Sequence, residues 1–255
     1  MSPTATDQIT PVTRRSDGAA VATGAYEGLI ALLETLTADD WRAPTECPGW
    51  SVTDMVGHLI GSAKAAASRR ELIRQNVYGI RHASEHDGNA MDAYNALQIA
   101  EHASLAPADK LTALKTVAPA AVRGRMKTPV LLRMASMSTK ANGSVVDGMP
   151  PRGNLGHLMD VIYSRDVFMH RVDISRAVGR DLHLNDNDRR IVEDAVGEWA
   201  RRHQQPVEVV LSGPAGGKFV QGSGGPRIEM EAIEFCRVLS GRAHGSGLLG
   251  TKIFF

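Results

Sequence analysis

The chain is predicted to be an α-helical bundle of the four-helix up-and-down type, followed by a small α+β module. Three observations carry this. Apolar residues recur at helical spacing through most of the chain up to Val178. After Gly179 the character changes to β-branched runs separated by glycine-rich turns. Inside the last long helical stretch an acid and a histidine, Asp166 and His170, stand four apart, as ligands facing a bundle interior would. At 255 residues there is room for one large domain or two modest ones.

Met1 to Asp17 holds Thr, Ser and Pro without the apolar core of a signal peptide, and is expected to be a loose tail. Gly18 to Leu36 carries Val21, Tyr26, Leu29, Leu33 and Leu36 on one stripe and forms the first helix. Trp41 packs over the following junction, and Pro44 to Trp50 forms a loop. Ser51 with Asp54 three residues on is a helix-start signature, and the helix it opens runs to about Gln75. Its Gly57 and Gly61 lie one turn apart and let a neighbouring helix come close. Asn89 to Ala103 and a stretch starting at Pro107 are the next helices. Thr128 to Pro151 has no clean period and is read as a short helix and a loop. Asn154 to Val178 is one long helix ended by Gly179.

Asp188 to His203 is a further amphipathic helix. Pro206 to Leu211, Lys218 to Gln221 and Arg227 to Met230 read as strands, and Glu231 to Leu239 as the last helix. The division is thus a tail over 1–17, a bundle over 18–182 and an α+β domain over 183–255. The glycine-rich segments 213–217 and 222–225 are hairpin turns. Gly216-Gly217-Lys218 lacks the first glycine and the Ser or Thr of a phosphate loop, and 222–225 does not fit a dinucleotide fingerprint.

Lys plus Arg number 29 against 28 Asp plus Glu, so the chain is not a dedicated nucleic-acid binder. Two cysteines, Cys47 and Cys236, cannot build a disulfide framework and fit a reducing cytoplasm. No apolar run approaches the roughly 20 residues that cross a bilayer. A soluble cytoplasmic protein with no membrane partner is expected, as monomer or homodimer.

On a helix Asp166, His170 and Asp173 project from one face, because residues three and four apart stack along it. An acid and an imidazole at that spacing can hold one divalent ion, and His58 is the best candidate for a third ligand. Two His and one carboxylate leave a coordination position open for water or substrate. Asp173 is placed to orient a ligand imidazole or to cap an arginine. His157 and Asp160, one turn earlier, are candidates for outer support, whereas His82 and His86 are surface residues. Cys47 precedes a helix start, where a thiolate is favoured, but is more simply a small packing residue.

Trp41, the run Pro44-Thr45-Glu46-Cys47-Pro48-Gly49-Trp50-Ser51-Val52-Thr53-Asp54-Met55-Val56-Gly57-His58-Leu59, and Asp166-x-x-x-His170-Arg171-Val172-Asp173 together resemble the mycothiol-dependent maleylpyruvate isomerase family. Its N-terminal part is a DinB-like metal-binding bundle. Leu239-Ser240-Gly241-Arg242 and Gly247-Leu248-Leu249 resemble its small second domain. The resemblance implies His58, Asp166 and His170 as ligands of a zinc-like divalent ion, with Asp166 standing where the isomerase has glutamate. It implies Arg242 as a catalytic or cofactor-binding residue facing an anionic substrate or thiol. The implied cosubstrate is mycothiol or a similar small thiol, acting as isomerase or S-transferase reagent on a small electrophile. In the isomerase the thiol adds to a carbon–carbon double bond, the adduct rotates and the thiol leaves. A non-catalytic, metal-stabilised binder of a small ligand is the alternative.

Overall fold

A computed structural model describes residues 2–138, 140–141, 144–145 and 152–255. In chain order it holds β1 (Thr4–Ala5), α1 (Gly18–Leu33), α2 (Val52–Ala67), α3 (Arg69–His82), α4 (Ala90–His102), α5 (Pro107–Met126) and α6 (Val130–Arg133). There follow β2 (Ser136–Ser138), β3 (Lys140–Ala141), β4 (Ser144–Val145), β5 (Arg152–Asn154), α7 (Leu155–His157) and a π-turn over Leu158–Ile162. The chain closes with α8 (Tyr163–Val178), α9 (Asp186–His203), β6 (Val207–Ser212), β7 (Gly217–Gln221), β8 (Arg227–Glu231) and α10 (Ala232–Leu239).

The bundle is the ring α1–α5–α2–α8, in which each helix packs on the next and α8 returns to α1. Leu29, Met55, Leu59, Leu114 and Phe168 fill its centre, each fully buried. The same apolar cluster continues through Ile174 and Trp199 to Phe235 and Ile253, so the sheet-bearing end shares the bundle's core. Among the described residues no helix is long and apolar enough to cross a membrane.

The helix running from Ser51 toward Gln75 is two helices. Ser51 and Asp54 form a reciprocal capping box, as their spacing indicates. At Ser68 the backbone turns extended (φ −136°, ψ 119°), and its hydroxyl caps α3 by accepting from Glu71 N. The break swings Gln75 back, where its Nε2 donates to Gly61 O at 3.1 Å. Gly61 is required there: a Cβ would lie 2.6 Å from Gln98 Cβ of α4. Likewise the stretch from Asn154 to Val178 contains a π-turn. The short helix expected after Thr128 is α6; the loop expected beyond it holds the short strands β2, β3 and β4 instead, and its residues 139, 142–143 and 146–151 lie outside the described residues.

The main sheet has order β1-β7-β6-β8. β6 and β7 form a hairpin across residues 213–216, as expected. Residues 222–226 are not a hairpin turn: β8 pairs parallel with the far edge of β6, so this segment crosses the end of the sheet. The N-terminal residues are not loose. β1 pairs parallel with β7, and Val12 N donates to Asp194 Oδ1 at 2.8 Å. Ile9 and Val12 are buried against α9. Two apolar residues give too little periodicity to announce this, and the edge of β7 supplies the partner.

Candidate functional site: a three-ligand cluster between α2 and α8

α2 presents His58 and α8 presents Asp166 and His170 across one bundle seam, and the three side chains converge. Asp166 places Oδ2 3.5 Å from His58 Nε2 and Oδ1 3.3 Å from His170 Nε2. The ring centroids of the two histidines are 5.2 Å apart, nearly perpendicular. One donor atom from each residue lies within 4.8 Å of the others. Tetrahedral zinc bonds of about 2.0–2.1 Å set donor atoms roughly 3.3 Å apart, so this donor set fits such an ion. Both histidines are buried, and His58 Nδ1 has no hydrogen-bond partner within the described residues.

His170 is supported from behind. Its Nδ1 lies 3.0 Å from Asp173 Oδ2, which places a proton on Nδ1 and turns Nε2 toward Asp166. Asp173, fully buried, also receives Arg242: Nε bonds both carboxylate oxygens at 3.0 and 3.1 Å, and Nη2 bonds Oδ2 at 2.9 Å. Asp173 therefore both orients an imidazole and engages an arginine. Arg242 reaches it because α10 ends in a Schellman turn. Gly241 adopts φ +83°, Gly241 N bonds Val238 O, and Arg242 N returns to Arg237 O.

The electrostatics follow the packing. Burial pushes the Asp166 carboxyl up, but His170 and His58 outweigh it and hold the group far below the usual carboxylate range. Burial pushes His170 down, and Asp166 and Asp173 together override it, so its pKa stands well above 6.5. Asp173 is likewise held low against its burial by His170 and Arg242.

A second cluster, Cys47 with His170 and Asp173, lies beside the first. The Arg242 guanidinium on Asp173 puts a positive charge where a second cation would sit, so this cluster is a hydrogen-bond relay. The loop bearing Cys47 also carries Trp50, whose ring centroid is 5.1 Å from that of His58 and 6.0 Å from that of His170. The loop is fixed by Thr45 and Trp50, whose backbones bond at 2.9 Å, and by Glu46. Glu46 bridges Arg176 at the end of α8 and Arg237 of α10 at 2.8 and 2.6 Å. Spacing did not single out Trp50, Glu46 or Arg237; only the Pro-Gly-Trp sequence marked the loop.

His157 and Asp160 do not join the cluster. His157 faces Glu198 at 3.6 Å, and Asp160 pairs with Arg133. His82 stacks on Tyr78, with ring centroids 3.8 Å apart.

Two solved structures share this fold: those of the mycothiol-dependent maleylpyruvate isomerase and of a point mutant of it. They are 13% and 14% identical to the chain with TM-scores of 0.54 and 0.53, and in both cases 91% of this chain and 92% of the other is covered. The bundle is accordingly DinB-like. The search of curated proteins finds no match. The family model described as the mycothiol maleylpyruvate isomerase N-terminal domain matches residues 23–175, more than half of the chain and inclusive of His58, Asp166 and His170. The chain belongs to the mycothiol maleylpyruvate isomerase N-terminal domain family.

Proposed function

We propose that this protein is a metal-dependent isomerase or transferase in which mycothiol, or a similar small thiol, attacks a small electrophile. The convergence of His58, Asp166 and His170, with Asp173 behind His170, is the observation that carries this proposal. Family membership supports the thiol. We further propose that residues 18–182 hold the ion and that 183–255 contribute Arg242.

A zinc-like ion on two neutral imidazoles and one carboxylate keeps net positive charge and lowers the pKa of a bound thiol or water. The residues around it do the rest. Asp173 keeps the His170 tautomer that turns Nε2 inward. Trp50 covers both imidazoles and excludes water from one side. Arg242 spends Nε and Nη2 on Asp173, so it acts first by holding that carboxylate; Nη1 is the donor left for an anionic group of thiol or substrate. The nucleophile is external. Cys236 is fully buried, and burial pushes its thiol up to about 12.

Elemental analysis of wild type, His58→Ala and His170→Ala, with mycothiol calorimetry, tests this. About one ion per chain, lost in both variants and needed for thiol binding, is the expected result. Metal binding without turnover of any thiol and electrophile pair would favour the binding-protein alternative. Wild type without metal after metal-replete expression would overturn the proposal.

A further inference from the structure

The ligands from α2 and α8 belong to two helices that must keep one axial spacing, and neighbouring residues on α5 address both. At Gly124 the α5 backbone lies against the last turn of α2: a Cβ there would come 2.4 Å from Ala66 O and 2.8 Å from Ala67 Cα. The next residue, Arg125, is fully buried and reaches α8. Its Nε donates to Met159 O inside the π-turn at 2.7 Å, and its Nη2 donates to Ser164 Oγ on the first turn of α8 at 2.6 Å. Arg133 braces the arrangement from α6, donating to Arg125 O at 3.2 Å and to Gly156 O at 3.3 Å and pairing with Asp160.

The π-turn matters because it inserts an extra residue into the helical ladder just before the ligand-bearing helix. Removing one residue from a helical path rotates the downstream helix by about 100° and shifts it about 1.5 Å. Either change would swing Asp166 and His170 away from His58. Whatever holds the π-turn therefore decides whether the ligands meet. A role in packing alone does not explain Arg125: its Nη1 is buried without a hydrogen-bond partner among the described residues, and an apolar side chain of similar volume would fill the space without that desolvation.

We infer that Arg125 is a positioning residue for the His58/Asp166/His170 site, clamping the π-turn so that α8 is set in register with α2. The inference rests on the proposed metal site.

The test compares wild type with Arg125→Met, Arg125→Lys, Ser164→Ala and Leu114→Ala, the last being a core residue of the same helix outside the clamp. Zn(II) affinity is measured by chelator competition, and site geometry by the visible d–d bands of Co(II)-loaded protein. Arg125→Met should weaken Zn(II) binding by about 10–100-fold and alter the Co(II) bands, the range seen when outer-shell partners of metal ligands are removed. Ser164→Ala, which removes only the α8 partner and guards against misfolding of the first variant, should move both readouts the same way by less. Arg125→Lys keeps one donor and should recover part of the loss. Leu114→Ala should lower the thermal midpoint and leave affinity and spectrum unchanged. Wild-type affinity and bands in both Arg125→Met and Ser164→Ala would overturn the inference alone, as would an equal loss in Leu114→Ala. A wild type that binds neither ion would overturn the metal site and this inference with it.

Discussion

Arg242 and Asp173, 69 residues apart in sequence, form a two-pronged ion pair directly behind the imidazole of His170. The sheet-bearing end of the chain is thereby tied to a side chain on the ligand helix. Asp173→Asn keeps the shape but removes the charge that holds both partners, and should weaken Zn(II) binding by about 10–100-fold in chelator competition. Arg242→Met leaves the buried carboxylate with only His170 and the long Cys47 Sγ contact. It should lower unfolding stability by up to about 3 kcal/mol in urea titration, as stranded buried charges do. Equal metal affinity in Asp173→Asn and wild type would refute the support role.

Asp166 lies between two imidazoles, each facing a different carboxylate oxygen. Asp166→Glu should retain about one ion per chain, because one added methylene can be absorbed by a small side-chain shift. Asp166→Asn removes the anionic donor and should lose most bound metal on dialysis. Elemental analysis of the two dialysed variants separates these outcomes.

Trp50 is one of three tryptophans and the one over the ligand rings. Co(II) titration should quench part of the intrinsic fluorescence of wild type, and Trp50→Phe should abolish that part. Unchanged quenching in Trp50→Phe would place the responding tryptophan elsewhere.

Gly61→Ala gains roughly 1 kcal/mol of helix propensity but drives a methyl group into Gln98 Cβ. Overpacking costs typically 1–3 kcal/mol, so a net loss of up to about 2 kcal/mol is expected, visible as a lower thermal midpoint. A gain in stability would show that α4 yields freely.

His102 gives the pH dependence a definite sign. Its Nδ1 bonds Gln98 O at 2.7 Å and must carry the proton, so Nε2 accepts from Lys64 Nζ at 2.7 Å. Burial, with Lys64 and Lys110 adding to it, pushes the pKa below 6.5. The unfolded chain therefore binds more protons than the folded one just below pH 6.5, and stability falls as pH drops through that value. Urea midpoints from pH 7 to 5 should fall more steeply in wild type than in His102→Gln, both in chelator. Parallel slopes would exclude His102 as a source.

The grouping of Asp166, His170 and Asp173 was legible because residues three and four apart share one helical face, and the end of α8 because glycine at position 179 has few other uses. The capping pair Ser51–Asp54 follows a local rule that sequence carries directly, whereas the helix read from Asp188 starts at Asp186 under an Asn185 cap. What was not legible is non-local. Ser68 breaks a stretch whose apolar pattern continues, because Gln75 finds Gly61 O only after the turn. The π-turn is held by Arg125 from a different helix, a contact no periodicity contains. Arg242 could be named from resemblance, but its engagement with Asp173 depends on a helix end meeting α8 in space.

The pairing of Thr4 with Phe219 has a consequence for how the molecule is made. The segment around Thr4 cannot reach its place until the chain has been made as far as Phe219. Closing so long a loop adds a few kcal/mol of entropic cost by its logarithmic dependence on length, which β7 can offset only after its hairpin with β6 exists. Docking of β1 is thus a late step of biogenesis, and the edge of β7 stays open until it occurs.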